Sequence, residues 1–371
     1  MLLPAILILL SPGIASSVEK PFFEQGLVRQ AAEAGEQHCY PVIIRTGRGN
    51  LFTVWTKVEG KKTEPERRIV IVGAFSRDGG RTWGEPTTLI HTPGMGDYDP
   101  NVVVEGNRIL VYSTTTPVPQ PVIDRSEMWM TFSEDEGSTW TKPVEIKTDF
   151  KYLVGKRHIG IKLKDGTLAM PFAWDIWAQA GTPARTEGEM DLKSGILVSN
   201  DRGLTWAPRG ELYLFERKVR PDGTGGVCEP ALVELENGDL FMLFRTGTSW
   251  IYEARSRDQG RTWTGPTRSK LQGFNAPMAL WRLDQNPKEV IVIWDNSPVN
   301  RWPLCVAITA DGGKSWSGPK DVAGVTGSDV SYPGIAQASD GTFVAVWQQF
   351  KSDGTRDIRS ARFNRAWVME R

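Results

Sequence analysis

The chain has little of what most metal and disulfide motifs are built from, with three cysteines and three histidines in 371 residues. Cys39, Cys228 and Cys305 cannot all pair within one chain, so small buried thiols in strands are expected rather than a disulfide scaffold. His38, His91 and His158 lack metal-ligand spacing, and neither a metal nor a cofactor is expected. Net charge is absent as well: 44 basic residues stand against 44 acidic ones, which leaves no global field to attract nucleic acid or an acidic membrane surface. The apolar run in MLLPAILILLSPGIASS is too short to span a bilayer. Small residues follow it, and although a basic n-region is missing, residues 1–17 read as a signal peptide of a secreted or periplasmic protein.

What is present is tryptophan, 15 of them, and a repeat. SRDGGRTW, ending at Trp83, returns as SEDEGSTW (Trp140), SNDRGLTW (Trp206), SRDQGRTW (Trp263) and TADGGKSW (Trp316). The aspartates fall at 78, 135, 201, 258 and 311, in steps of 57, 66, 57 and 53. Periods of this size indicate an array of units that cannot each bury a core alone. In such a box the Asp accepts N–H bonds within its own turn, the Gly supplies a positive φ and the Trp returns apolar surface to the space between sheets. A calcium loop needs more oxygen ligands, and a phosphate loop needs a following helix. The box is therefore read as architecture.

Six strand pairs with Gly-containing or similar turns run along the chain: YPVIIRTGRGNLFTVW, DPNVVVEGNRILVYS, HIGIKLKDGTLAMPF, EPALVELENGDLFMLF, APMALWRLDQNPKEVIVIW and YPGIAQASDGTFVAVW. Each continues through a third strand into a box and a fourth strand out of it; only the last unit has no box. Six four-stranded sheets arranged radially make an all-β, six-bladed β-propeller, expected as a single domain over residues 18–371 and as a monomer. Residues Phe22 to Gln30 are expected to add a strand to the sixth unit.

In a propeller the first strand of each sheet lies nearest the axis, so residues at the starts of those strands converge on the channel mouth. They are His38, Cys39 and Tyr40; Asp97 and Asp99; Arg157 and His158; Glu229; Asn275; and Tyr332. Asp175, Arg245 and Arg301 join them from the ends of second strands or the loops beyond. Asp97 and Asp99 before Pro100 equally suit an Asx turn, and His158 suits a hydrogen-bonded structural histidine better than a catalyst.

The boxes and strand pairs resemble the sialidase (neuraminidase) superfamily across nearly the whole chain. CEPALVELENGDLFMLFR is similar to the family segment in which a Glu precedes a strand pair closed by an Arg of a carboxylate-binding triad. The resemblance implies Glu229 as the assisting base, with Arg245 as a ligand of the substrate carboxylate. NRWPLCVAITADGGKSW resembles the segment bearing another triad Arg, here Arg301, and SYPGIAQASDGTFVAVW resembles the strand led by the nucleophilic Tyr, here Tyr332. Such an enzyme cleaves terminal acidic sugars from glycans, and a tyrosine nucleophile avoids the repulsion a carboxylate would meet at the anomeric carbon. Asp99 is the expected general acid, with Asp97 and Glu64 as alternatives, and Asp97, Arg157 and His158 are further substrate-binding candidates.

Three departures stand out. Cys39 occupies the place of the family's first triad Arg, the stretch KVEGKKTEPERR has no Asp where the general acid usually lies, and Gln348 replaces the Glu that steadies that first Arg. Two alternatives to hydrolysis follow: a propeller that binds glycans without cleaving them, and a polysaccharide lyase acting on uronides.

Overall fold

The computed structural model describes residues 19–33, 35–60, 67–118, 126–147, 153–154, 158–176, 190–215, 224–324 and 330–370. The leader-like residues 1–17 and Arg157 lie outside the described residues, as do residues 61–66, half of the stretch KVEGKKTEPERR with Glu64 among them.

The first unit contains the strands Gln37–Arg45, Leu51–Glu59, Arg68–Ser76 and Thr87–Ile90, each antiparallel to the next. The turns that join inner strands behave as their sequences require. In LENGDL the Asn237 side-chain oxygen accepts from Asp239 N, and Gly238, at φ 89°, donates to Leu235 O at 2.9 Å.

The described strands hydrogen-bond into five sheets rather than six separate ones. Three have four strands, beginning at Met95–Glu105, Cys228–Glu234 and Ala279–Arg282, and one built around Leu168–Asp175 has six. The fifth has eight strands because the first and last units share it, through one parallel pair between Gln37 and Arg356. Phe23–Arg29 pairs antiparallel with Arg356–Phe363, so the N-terminal segment does complete the last unit. Asn364 then ties the two ends of the chain together: its side chain accepts from Phe22 N at 3.2 Å and donates to Lys20 O at 2.8 Å.

The core lies between units. One cluster joins Phe52 and Val54 of the first unit to Val102 and Val111 of the second, and others join each later pair of neighbours. A further cluster joins Ile43 and Trp55 of the first unit to Val344 and Val346 of the last. The box tryptophans Trp83, Trp140, Trp206, Trp263 and Trp316 each pack against the cluster their unit shares with the preceding one, counting the last unit as preceding the first.

Inside each box the aspartate serves its own turn. Asp258 accepts from Thr262 N at 2.8 Å, Thr262 Oγ1 at 2.6 Å and Ser256 Oγ at 2.8 Å. The Thr262 hydroxyl and N–H, with the Ser256 hydroxyl, hold its carboxyl down to about 2. Asp78, Asp135, Asp201 and Asp311 are likewise held at about 2. The box glycine has a second duty besides its positive φ. A Cβ on Gly137 would lie 2.3 Å from the Phe75 ring, and one on Gly260 would lie 2.3 Å from Ile196, in each case a side chain of the preceding unit. The same holds for Gly80 against Val344, Gly203 against Leu110 and Gly313 against Phe241. The missing side chain is what lets consecutive sheets close.

Candidate active site

Among the described residues eight non-glycines have positive φ, and five of them occupy one position of the repeat. Tyr40 (58°), Asp99 (52°), Glu229 (44°) and Tyr332 (57°) stand in the first half of the innermost strand of their units, and Asn275 (48°) just before its own. All but Asn275 directly precede a proline. The same four sit in register irregularities, where the first and second strands lose step between Cys39 and Val42, Tyr98 and Asn101, Cys228 and Ala231, and Ser331 and Gly334. A left-handed non-glycine residue costs about 1–3 kcal/mol, a strain that clusters at functional sites. Each bulge turns its side chain out of the ladder alternation.

Arg245 is the hub that joins three of these units. It ends the strand Leu240–Arg245, pairs in register with Cys228, and is 2% exposed. Its Nη1 donates to Glu229 Oε2 at 2.9 Å and, at 3.5 Å, to the Tyr332 hydroxyl oxygen. Its Nε donates to Asn275 Oδ1 at 3.1 Å, and its Nη2 to Thr224 Oγ1 at 3.2 Å. Glu229 is 4% exposed, so this is a buried ion pair; removing either partner would leave an uncompensated charge, at about 3–5 kcal/mol. Because the phenol oxygen of Tyr332 accepts from Arg245 Nη1, its own proton must go to a different acceptor.

Arg301 reaches the same group from the fifth unit. Its Nη2 donates to Asn275 O at 2.6 Å, and its guanidinium lies 5.2 Å from the centre of the Tyr332 ring. Tyr40 packs edge-on against Tyr332 with ring centres 4.7 Å apart, and Tyr40 N donates to Gln348 Oε1 at 3.2 Å. Tyr332, Glu229, Arg245 and Arg301 are thus brought together from the fourth, fifth and sixth units. Asp99 occupies the equivalent bulge of the second unit and is 3% exposed.

Two candidates are placed elsewhere. Asp97 is wholly buried and works as a clamp, accepting from Thr92 N at 2.9 Å, Thr92 Oγ1 at 3.0 Å and Thr115 Oγ1 at 2.6 Å. Burial raises the pKa of its carboxyl despite those bonds. These bonds run back to Thr92 and across to Thr115 rather than forward into an Asx turn before Pro100, and none of them is to the Arg245 group. His158 lies deeper in the channel, lining a small space with Val42, Ile43, Ala279 and Ile335. Its Nε2 accepts from Leu280 N at 3.1 Å, which puts the proton on Nδ1, 3.1 Å from Ile159 O. Burial lowers its pKa to about 4, so it is a neutral strut between the third and fifth units. His38 is also buried, accepting from Trp55 Nε1 at 2.8 Å within its own unit.

Sequence reasoning left Thr224 and Arg356 out of the site. Thr224 orients Arg245 from the loop that enters the fourth unit. Arg356 begins the third strand of the last unit, and its Nη1 lies 3.4 Å from Cys39 Sγ. Neither position carries a signal without the fold, since Thr224 lies in a loop before an inner strand and Arg356 at the start of a third strand. None of the three cysteines forms a disulfide, and all are buried. No helix of the described residues is long and apolar enough to cross a membrane.

An all-β propeller whose inner strand starts gather a tyrosine, a glutamate and two arginines is a scaffold of the sialidase type. The chain belongs to the BNR repeat-like domain family, whose model matches residues 49–346. It is similar to a sialidase of Bacteroides fragilis, 22% identical over 311 residues, which cover 75% of this chain and 53% of the relative. The chain therefore spans about half the length of that relative. In fold it is similar to the intramolecular trans-sialidase of Ruminococcus gnavus in complex with oseltamivir carboxylate, with a TM-score of 0.72, 15% identity and coverage of 93% of this chain and 98% of the other. It is also similar to Trypanosoma rangeli sialidase in complex with the inhibitor DANA, with a TM-score of 0.69, 15% identity and coverage of 92% and 59%.

Proposed function

We propose that the chain is an exo-acting glycoside hydrolase that releases terminal acidic sugars from glycans with a tyrosine nucleophile. One observation carries the reading: Glu229 and Tyr332, from different units, meet the same guanidinium nitrogen of Arg245. In the proposed reaction Glu229 takes the Tyr332 proton while the phenol oxygen attacks the anomeric carbon. Asp99 protonates the departing glycosidic oxygen. Water then displaces Tyr332, and the configuration is retained. Arg245 and Arg301 hold the sugar's carboxylate, where charge-assisted hydrogen bonds to a planar guanidinium are strong and directional.

The scaffold proposed for this chemistry has six blades. Supporting that count are core clusters at six boundaries between units, the boundary of the third and fourth holding two, with the eight-stranded sheet read as two blades linked by the single Gln37–Arg356 pair. A single domain from Val18 onward, a monomeric state and export through residues 1–17 belong to the same proposal.

Turnover of aryl α-sialosides and aryl uronides, with Glu229→Gln as control, tests the reading. Release from a sialoside, slowed about 10²–10⁴-fold in the variant, is expected. Affinity for acidic glycans without turnover in any form of the protein would instead indicate a binding propeller, and an unsaturated product from a uronide would indicate a lyase.

A further inference from the structure

The inner strands run from the Tyr332 group to the other mouth of the channel, roughly 16 Å away along Glu229 to Glu234 at about 3.3 Å per residue. Their last residues are Arg45, Glu105, Lys162, Glu234, Arg282 and Gln337, so the charges alternate in sign from unit to unit until the neutral sixth. Most of these charges are matched. Lys162 Nζ donates to Glu105 Oε1 at 2.9 Å, and Arg45 donates to the Asp284 carboxylate and to Gln337 O at 3.1 Å. Glu234 accepts from the backbone N–H of Lys164 at 3.1 Å, whereas half-buried Arg282 makes no hydrogen bond or ion pair with any described residue. The two stand in adjacent units, near enough for the Arg282 charge to oppose the burial that raises the Glu234 pKa. Beside them lies a chamber of about 250 Å³, with Ile44, Leu232, Leu280 and Trp281 in its apolar wall. Trp281 reaches across the axis from the fifth unit: it packs against cores that the first unit shares with the second and with the sixth, and its ring centre lies 5.9 Å from the Arg45 guanidinium. Between this chamber and Tyr332, the space beside His158, Val42 and Ile335 admits no water, so the chamber is not an extension of that site.

We infer that this chamber, at the end of the channel remote from Tyr332, is a second binding site that takes a single-ring sugar acid. An anion is selected because Arg282 is the one charged lining group, among the described residues, whose hydrogen-bonding side is unused. Its planar fork meets a carboxylate with two parallel N–H bonds. Hydroxyls are selected by the neighbours: Glu234 accepts from one, and the paired Arg45 and Asp284 present donors and acceptors to the rest of the polyol. The apolar face of the ring lies on Trp281, whose indole supplies a large apolar surface. The volume falls just below the range of about 300–1,000 Å³ for drug-sized ligands, which suits one ring. The inference is independent of the hydrolase reading, since no residue of the chamber belongs to the Tyr332 group.

The experiment is calorimetric titration of glucuronic acid, glucose and serine into the wild-type chain, Arg282→Gln, Arg282→Lys and Arg301→Gln. Expected is binding of glucuronate to wild type that weakens by about tenfold or more in Arg282→Gln, the scale of one hydrogen bond to a charged group. Arg282→Lys, which keeps the charge and loses the fork, should lose less, and Arg301→Gln should lose nothing. Glucose should bind wild type more weakly than the acid and be indifferent to Arg282→Gln. Melting curves of the free proteins distinguish lost binding from lost folding, and the Lys variant keeps the test valid if Gln fails to fold. No binding of glucuronate to wild type, equal affinity in wild type and both Arg282 variants, an equal loss for glucose, or tighter binding of serine than of glucuronate would each overturn the inference. A loss in Arg301→Gln with none in the Arg282 variants would place the acid at the Tyr332 end, overturning the inference while leaving the hydrolase reading intact. Glucuronate binding that depends on Arg282, in a chain that turns over no glycoside, would support it and remove the hydrolase reading.

Discussion

Two parts of each unit are built on opposite principles. The box turns repeat one solution five times: a carboxylate that accepts from its own turn, a glycine that admits the preceding unit's side chain, and a tryptophan at the shared core. The inner strand starts repeat only a backbone. Tyr40, Asp99, Glu229, Asn275 and Tyr332 share a left-handed conformation and almost nothing chemically. Where a residue closes the array, every unit needs the same one; where the bulges face the channel, the array offers a fixed geometry and each unit can supply a different group.

The sharpest way to break that comparison is at the strand starts. Tyr332→Phe removes the hydroxyl and keeps the ring that packs on Tyr40, so turnover is expected to fall by roughly 10³-fold or more while ligand affinity and Tm are nearly unchanged. Full activity of this variant on the best substrate found would remove Tyr332 from its role. The five strained bulges would then be architecture as the boxes are.

Between the two regions lies the channel interior, which acidification should report. His158 stays neutral in the folded chain until the pH falls to about 4, whereas an unfolded histidine protonates near 6.5. Between those values the unfolded chain binds the extra proton, so stability is full above about 6.5 and is lost as the pH falls toward 4, by up to about 3 kcal/mol. Urea unfolding from pH 7 to pH 4 measures this, and because burial also lowers His38 to about 4, His158→Gln should remove only part of the slope. A profile as steep in the variant would mean that the strut to Leu280 is not what titrates. The boxes move at lower pH: their carboxyls are held near 2, so what they contribute is present above the usual carboxylate range and is lost only as the pH drops through about 2.

The smallest effect is expected from a single box. Asp201→Ala unties Thr205 and Leu204 from one exposed turn and should lower Tm by about 2 °C with kcat unaltered. A box variant that changed kcat and not Tm would dissolve the distinction between the two regions.

The boxes and strand pairs were legible because their physics is local: an Asp, a Gly and a Trp at fixed offsets, and turn residues between β-prone runs. The strand-start residues were legible too, since one position per unit follows from the repeat once it is aligned. Asp97 and His158 show where that argument ends. Both sit beside strand starts in the sequence, yet Asp97 turns inward to Thr92 and Thr115 and His158 is held by Leu280 N, partners that spacing does not reveal. The expectation of six separate sheets met a similar limit, because the Gln37–Arg356 pair that merges two units joins residues from opposite ends of the chain.

Residue type and offset within a unit encode the period, the all-β architecture and the structural character of the boxes. Tertiary structure alone decided which side chains from different units share a partner. It placed Glu229 and Tyr332 on one nitrogen of Arg245, Asn275 between Arg245 and Arg301, and Arg356 against Cys39. Those contacts cross sheets packed face to face, and their geometry depends on how the sheets twist and close, which no offset along the chain encodes.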